Sequence, residues 1–128
     1  RNSTTRSLST TEILDLTSGA SSPGPEMDTP RRGTSAVLLP EDGRVLVIGG
    51  DDNYGIDLAS TEVLDVAGNI TSAGPELGIP RSYCTTVRMP GNCILVMGGH
   101  SNDYVECTSQ ILGMSAEEGQ RQKRHRLT

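Results

Sequence analysis

The chain has 128 residues, no Trp, no Phe and three Tyr (Tyr54, Tyr83, Tyr104), so any core must be built from Val, Leu, Ile, Met and Ala. Fifteen Gly and seven Pro against 34% hydrophobic residues point to short strands joined by many turns rather than long helices. Net charge is −5 but uneven: residues 1–116 carry 7 Arg against 14 acidic groups, and residues 117–128 carry 4 basic against 2 acidic. So acidic a body is a poor partner for nucleic acid. No run approaches the roughly 20 apolar residues that span a membrane as a helix. The three cysteines (Cys84, Cys93, Cys107) have no CxxC spacing, so they read as small buried hydrophobes rather than zinc ligands.

In chain order, the first recognisable segment is "TEILDLTSGASSPGPEMDTPRRGTSAVLLP" (11–40), and it is also one half of a repeat. Laid without a gap on "TEVLDVAGNITSAGPELGIPRSYCTTVRMP" (61–90), it matches at twelve of thirty positions. Within the second unit, "GTSAVLL" (33–39) reads as a strand, and "EDG" (41–43) reads as a tight turn in which glycine accepts positive φ. "RVLVI" (44–48) follows as a nearly continuous apolar strand, expected to be buried on both faces. It runs into Gly49-Gly50 and then "DDNYGID" (51–57). "STEVLDV" (60–66) alternates as a half-exposed strand should, and "NITSAG" (69–74) is a weaker fourth strand. Pro75 and Pro80 cannot donate to a ladder, so they carry the chain into the next unit. There "CILVMGG" (93–99) repeats the strand and its double glycine, Gly98-Gly99, and "TSQIL" (108–112) echoes "STEVL".

Four antiparallel strands repeated at about fifty residues is the pattern of a propeller blade, a sheet that must stack on its neighbours to bury both faces. The double glycines, the "TEILD" and "TEVLD" strands and the "PR" steps (Pro30-Arg31, Pro80-Arg81) together resemble the kelch repeat of the galactose-oxidase-like propellers. The resemblance covers residues 1–112. It departs from the family where Ala20 and Ile70 stand in place of the usual fourth-strand aromatic, which loosens the expected packing between blades.

The implied organisation is all-β: outer strands of one blade in 1–32, a complete blade and linker in 33–82, a partial blade in 83–113, and a polar basic tail, expected to be disordered, in 114–128. The chain begins where a preceding double glycine would end, so it is expected to be a piece of a longer propeller.

Two chemistries are disfavoured by the motifs. A phosphate-cradling loop needs GxGxxG or GxxxxGK[ST] opening a helix, and "GGDDNYG" offers two aspartates instead. With only His100 and His125, no motif places a Ser-His-Asp set, and the paired histidines and tyrosines of a galactose-oxidase-like copper site are not supplied within the repeat. No cofactor or metal ligand is therefore assigned.

Two structural roles are expected for the repeated residues. Gly49, Gly50, Gly98 and Gly99 allow unusual φ and close backbone approach. Arg31 and Arg81 each pair with a repeat carboxylate, Glu12 and Glu62 being the matched candidates.

The resemblance implies a non-catalytic module that binds protein partners through loops between blades. By position these offer Arg32, Asp51, Asp52, Asn53, Tyr83, His100, Asn102 and Tyr104. The alternatives are a piece of a copper oxidase and a unit that self-associates through exposed blade faces. Neither nucleic acid nor membrane is an expected partner.

Overall fold

A computed structural model describes residues 6–39, 42–102, 104–105 and 108–113; the side chains of 104 and 105 are not described. The basic tail, Cys107 and His125 fall outside these residues, as does the side chain of Tyr104.

The described residues are all-β, with eleven strands and no helix. β1 (Glu12–Leu14) and β2 (Ser21–Pro23) form a two-stranded ribbon. β3 (Ser35–Leu39), β4 (Arg44–Ile48), β5 (Thr61–Asp65) and β6 (Ile70–Ala73) form a four-stranded antiparallel meander in sequence order. β7 (Thr85–Met89), β8 (Cys93–Met97) and β11 (Ser109–Gly113) make a three-stranded antiparallel sheet with β8 central. Between them, β9 (His100–Ser101) and β10 (Tyr104–Val105) form a short ribbon where a loop was expected.

The repeat in sequence is a repeat in register. Ser35 pairs with Ile48 and Thr85 with Met97; Val47 pairs with Glu62 and Val96 with Gln110. Turn chemistry sets these registers. Gly43 (φ 75) closes the β3–β4 turn, and Gly91 (φ 79) with Asn92 (φ 62) closes the matching β7–β8 turn.

The core between the two larger sheets is aliphatic. Leu46, Ile48 and Val63 of one sheet form a single buried cluster with Ile94, Val96 and Leu112 of the other, joined by Leu39 and by Leu77 from the connecting segment. The first strands touch directly, with Ser35 Oγ and Thr86 Oγ1 2.7 Å apart. A side chain such as Leu46, withdrawn wholly from water, contributes about 1.5–3 kcal/mol.

β5 departs from the alternation its sequence suggests, because Thr61 to Leu64 are all buried. Its polar members can be buried because they are satisfied. Thr61 Oγ1 donates to the Pro75 carbonyl at 2.7 Å, and Glu62 sits in an ion pair described below.

Candidate functional site

The double glycines sit at the junction between the sheets. β4 ends at Ile48, and the chain turns sharply through Gly49 (φ 64) and Gly50 (φ 98). The Gly50 N–H donates to the Arg81 carbonyl at 2.8 Å, while the Gly50 carbonyl accepts from Leu58 N–H at 2.8 Å. A Cβ on Gly49 would overlap the Arg81 carbonyl oxygen, and one on Gly50 would meet the Arg32 carbonyl oxygen and the Thr34 methyl. Gly98 (φ 66) and Gly99 (φ 92) repeat the geometry, the Ser82 carbonyl lying where a Gly99 Cβ would go. Positive φ and close approach act together, and both demand glycine.

Each Pro-Arg step sends its guanidinium into the same kind of junction. Arg31 Nε and Nη2 lie 3.0 and 2.9 Å from Glu62 Oε2, and Nη1 donates to the carbonyls of Gly49 and Ser60, both at 2.9 Å. Glu62 is satisfied as well, since Oε1 accepts from Asp28 N–H at 2.7 Å and Oε2 from Thr29 N–H at 3.1 Å. One ion pair thus pins the linker from the first ribbon to the third strand of the next sheet.

Arg81 repeats half of this. Its Nη1 donates to the carbonyls of Gly98 (3.0 Å) and Thr108 (2.7 Å), and Nη2 to Thr108 Oγ1 (2.9 Å). The carboxylate expected for it is missing: the residue matching Glu62 is Gln110, whose Oε1 accepts from Gly78 N–H at 2.6 Å. Arg81 is 1% exposed, and its Nε is buried without a hydrogen-bond partner. Glu12, which aligns with Glu62, is exposed on the outer ribbon.

The junction loops gather at one end of both sheets, and the structure divides the residues proposed there for partner binding. Arg32 and Asp51 pair with each other, Nε to Oδ1 at 3.2 Å and Nη2 to Oδ2 at 3.3 Å, and exchange backbone hydrogen bonds. Asp51 is buried rather than displayed. Burial pushes its carboxyl above the ordinary aspartate value; Arg32 pulls it down, and Asp57 and Asp52 push it further up.

Asn53 and Asn102 serve as links between repeats. Ser7 N–H donates to Asn53 Oδ1 at 2.6 Å, and Asp57 N–H donates to Asn102 Oδ1 at 3.2 Å, with Asn102 N–H returning a bond to Asp57 Oδ2. Ser7 and Asp57 align in the repeat, so this is one contact made twice. Sequence reading passed over Ser7, Asp57 and Gln110, although the alignment sets Ser7 with Asp57 and Asn53 with Asn102.

Facing outward are the rings of Tyr54, Tyr83 and His100, together with Asn53, Ile56 and Asn102. Asp52 Oδ1 accepts from the N–H groups of Tyr54 (2.8 Å) and Ile56 (3.0 Å), holding a turn whose tip, Tyr54, is 84% exposed. Tyr83 takes φ 56, donates its N–H to the Gly33 carbonyl at 2.8 Å, and lays its ring where a Gly33 Cβ would stand. Its ring also meets the exposed His100 ring edge-on, centroids 6.2 Å apart. His100 belongs to β9 and is tied by its backbone to Ser82 in both directions at 2.9 Å. Among the described residues, no group of three or more His, Cys, Asp or Glu is placed to hold a metal ion, and no helix is long and apolar enough to cross a membrane.

Compared with known proteins, the chain matches no family model and no curated protein sequence.

Proposed function

We propose that the chain is part of a kelch-type β-propeller, and that the junction loops at one end of its sheets bind a protein partner. The observation that carries the reading is the repeated junction. Two sheets with identical register share one core; Gly50 and Gly99 lie at equivalent places against the carbonyls of Arg32 and Ser82, and Gly49-Gly50 also takes the following Pro80-Arg81 step against its backbone. Such a scaffold holds its loops rigidly, which lowers the ordering cost of recognition.

The recognising groups are Tyr54, Tyr83 and His100. Tyr and its like carry much of the binding energy at interfaces, and these rings are exposed while their backbones are pinned. The neighbouring ion pair and asparagine links set loop shape.

The test uses the full chain, immobilised, to capture partners from an extract of its own cells in the presence and absence of a chelator. Capture should survive chelation, and Tyr54→Ser with Tyr83→Ser should weaken it by about tenfold or more. Val66→Ser, at the turn on the opposite end, should leave it unchanged. Capture indifferent to the two tyrosines, or no capture, would remove the proposal.

A further inference from the structure

Asp51 and Asp57 face each other in an antiparallel bridge and close a small loop with Tyr54 at its centre. Both aspartates are buried, so the base of the loop is fixed. Within it, Asp52 N–H donates to the Ile56 carbonyl at 3.0 Å, and Gly55 N–H donates to the Asp52 carbonyl at 3.1 Å. Gly55 (φ 75) supplies the left-handed residue that the return of the chain needs. These bonds occupy the backbone and leave the ring outside. Tyr54 is 84% exposed, against 56% for Tyr83, whose ring lies on Gly33 and meets His100. A phenol held at the tip of a pinned loop can enter another protein's cleft without unfolding its surroundings.

We infer that the Tyr54 hydroxyl is a phosphorylation site for a tyrosine kinase, and that phosphate there switches off binding at the loop end. The second half rests on the binding reading above; the first half does not. In the transfer, the phenol oxygen attacks the terminal phosphorus of a nucleoside triphosphate held by the kinase. The bond to the bridging oxygen breaks, the diphosphate leaves, and the phenol proton passes to the kinase's base. Half-exposed Asp52 stands two positions ahead of Tyr54, Asp51 and Asp57 flank the loop, and Gly55 follows the tyrosine directly. A kinase with a basic substrate groove meets complementary charge there and an unhindered approach to the ring. Tyr83 offers neither: no carboxylate lies within six residues of it in the chain, and its ring is engaged.

The loop accommodates the added charge. In the sequence of the next unit the place of Tyr54 is taken by Asp103, so an acidic residue already occurs at this position of the repeat. A phosphotyrosine carries a charge of about −1.5 to −2 at pH 7. Arg32, a cation of the same junction, is already paired with Asp51, and Asp52 repels the newcomer, so the phosphate stays in water. Covering the ring with a partner then requires desolvating a dianion, and that cost closes the surface.

Two measurements on the full chain test this. In the first, the protein is isolated from its own cells with a tyrosine-phosphatase inhibitor present, and its phosphotyrosines are mapped by fragmentation mass spectrometry. Phosphate is expected at Tyr54 and not at Tyr83, and it should disappear on phosphatase treatment and in Tyr54→Phe. No phosphate on Tyr54, phosphate confined to another tyrosine, or an acid ester that phosphatase leaves in place would overturn the inference. In the second, the chain phosphorylated in vitro with ATP and a tyrosine kinase replaces the unmodified chain in the capture experiment. Capture should fall by about tenfold or more and return after phosphatase treatment, with the far-UV circular dichroism unchanged. Capture unmoved by phosphate on Tyr54, or loss of the β signal on phosphorylation, would overturn the switch. The two readings separate cleanly. If the unmodified chain captures partners but Tyr54 carries no phosphate, only this inference falls. If neither form captures anything, the binding reading falls with the switch, and the mapped phosphate still decides the modification.

Discussion

Gln110→Glu should stabilise the protein, although it places a new charge on a half-buried side chain. Arg31 and Arg81 are aligned and both buried, but Arg31 meets a carboxylate through two nitrogens while Arg81 keeps an unpartnered Nε. A donor buried without a partner costs about 1–3 kcal/mol, and a hydrogen bond to a charged group contributes about 1.5–3 kcal/mol. Against these stands the desolvation of the new carboxylate, only part of the several kcal/mol that a fully buried ion costs, because the position is half-buried. Much of that cost is offset in advance: Gly78 N–H already donates at this position, as Asp28 N–H does to Glu62. The net gain is about 2 kcal/mol, a rise in Tm of roughly 5–10 °C for a domain of this size. The reverse change, Glu62→Gln, leaves Arg31 buried without its counter-charge and turns an amide N–H₂ or carbonyl toward donors it cannot all serve. Its cost is about 3–5 kcal/mol, a large part of a small domain's stability.

Urea unfolding of the two variants, followed by far-UV circular dichroism at matched m-values, measures both. A midpoint for Gln110→Glu at or below that of the parent would refute the reasoning. It would mean that carbonyls alone balance the Arg81 charge, so that the pair is not the energetic unit of the repeat.

Gly50→Ala must meet both the Arg32 carbonyl and an unfavourable φ, whereas Gly43→Ala meets only the φ because nothing lies within 4 Å of its Cβ. The first should cost about 3 kcal/mol or more and the second about 1 kcal/mol, compared by thermal or urea unfolding. Asp51 should give stability an unusual acid limb. Its folded carboxyl holds a proton more tightly than the unfolded one, so its contribution is fully present below the unfolded pKa and is lost as pH rises through the raised folded value. Asp15, held low by the N–H groups of Thr17 and Ser18, acts in the opposite sense, its contribution being lost as pH falls. Urea midpoints across the acid range should therefore change slope in opposite directions for Asp51→Asn and Asp15→Asn. Equal slopes would contradict the assignment.

Several elements were legible in the sequence because one local signal set each of them. "RVLVI" is β4 to the residue, since an unbroken apolar run between a turn glycine and a double glycine leaves no other register. The glycine pairs were legible for the same reason, their need being steric and local. Burial of β5 was not, because its alternating pattern is overridden by Arg31, thirty-one residues away from Glu62 in the chain. Nor were β9 and β10, two-residue strands paired only through Tyr104 with Ser101 and Val105 with His100, which no propensity marks. Of the loop residues, position in the repeat alone suggested Asp51, Asn53 and Asn102 for recognition. Their partners, Arg32, Ser7 and Asp57, lie on other segments, and only the fold brings them together.

These contacts divide the labour of the junction between side chains that look alike in sequence. Polar groups whose contacts recur from unit to unit (Arg31 on the carbonyls of Gly49 and Ser60 and Arg81 on those of Gly98 and Thr108, Asn53 with Ser7, Asn102 with Asp57) fix how one sheet sits on the next, and their hydrogen bonds are spent there. The exposed rings of Tyr54, Tyr83 and His100 have no counterpart of that kind: Tyr83 and His100 align with Gly33 and Asp51, so the aromatic character is particular to one unit. A scaffold must repeat to stack, and a recognition surface must differ to discriminate. If the loop end binds a partner as proposed, the departures from the repeat that lie there set its specificity, whereas a departure inside the junction, as at Gln110, bears on stability.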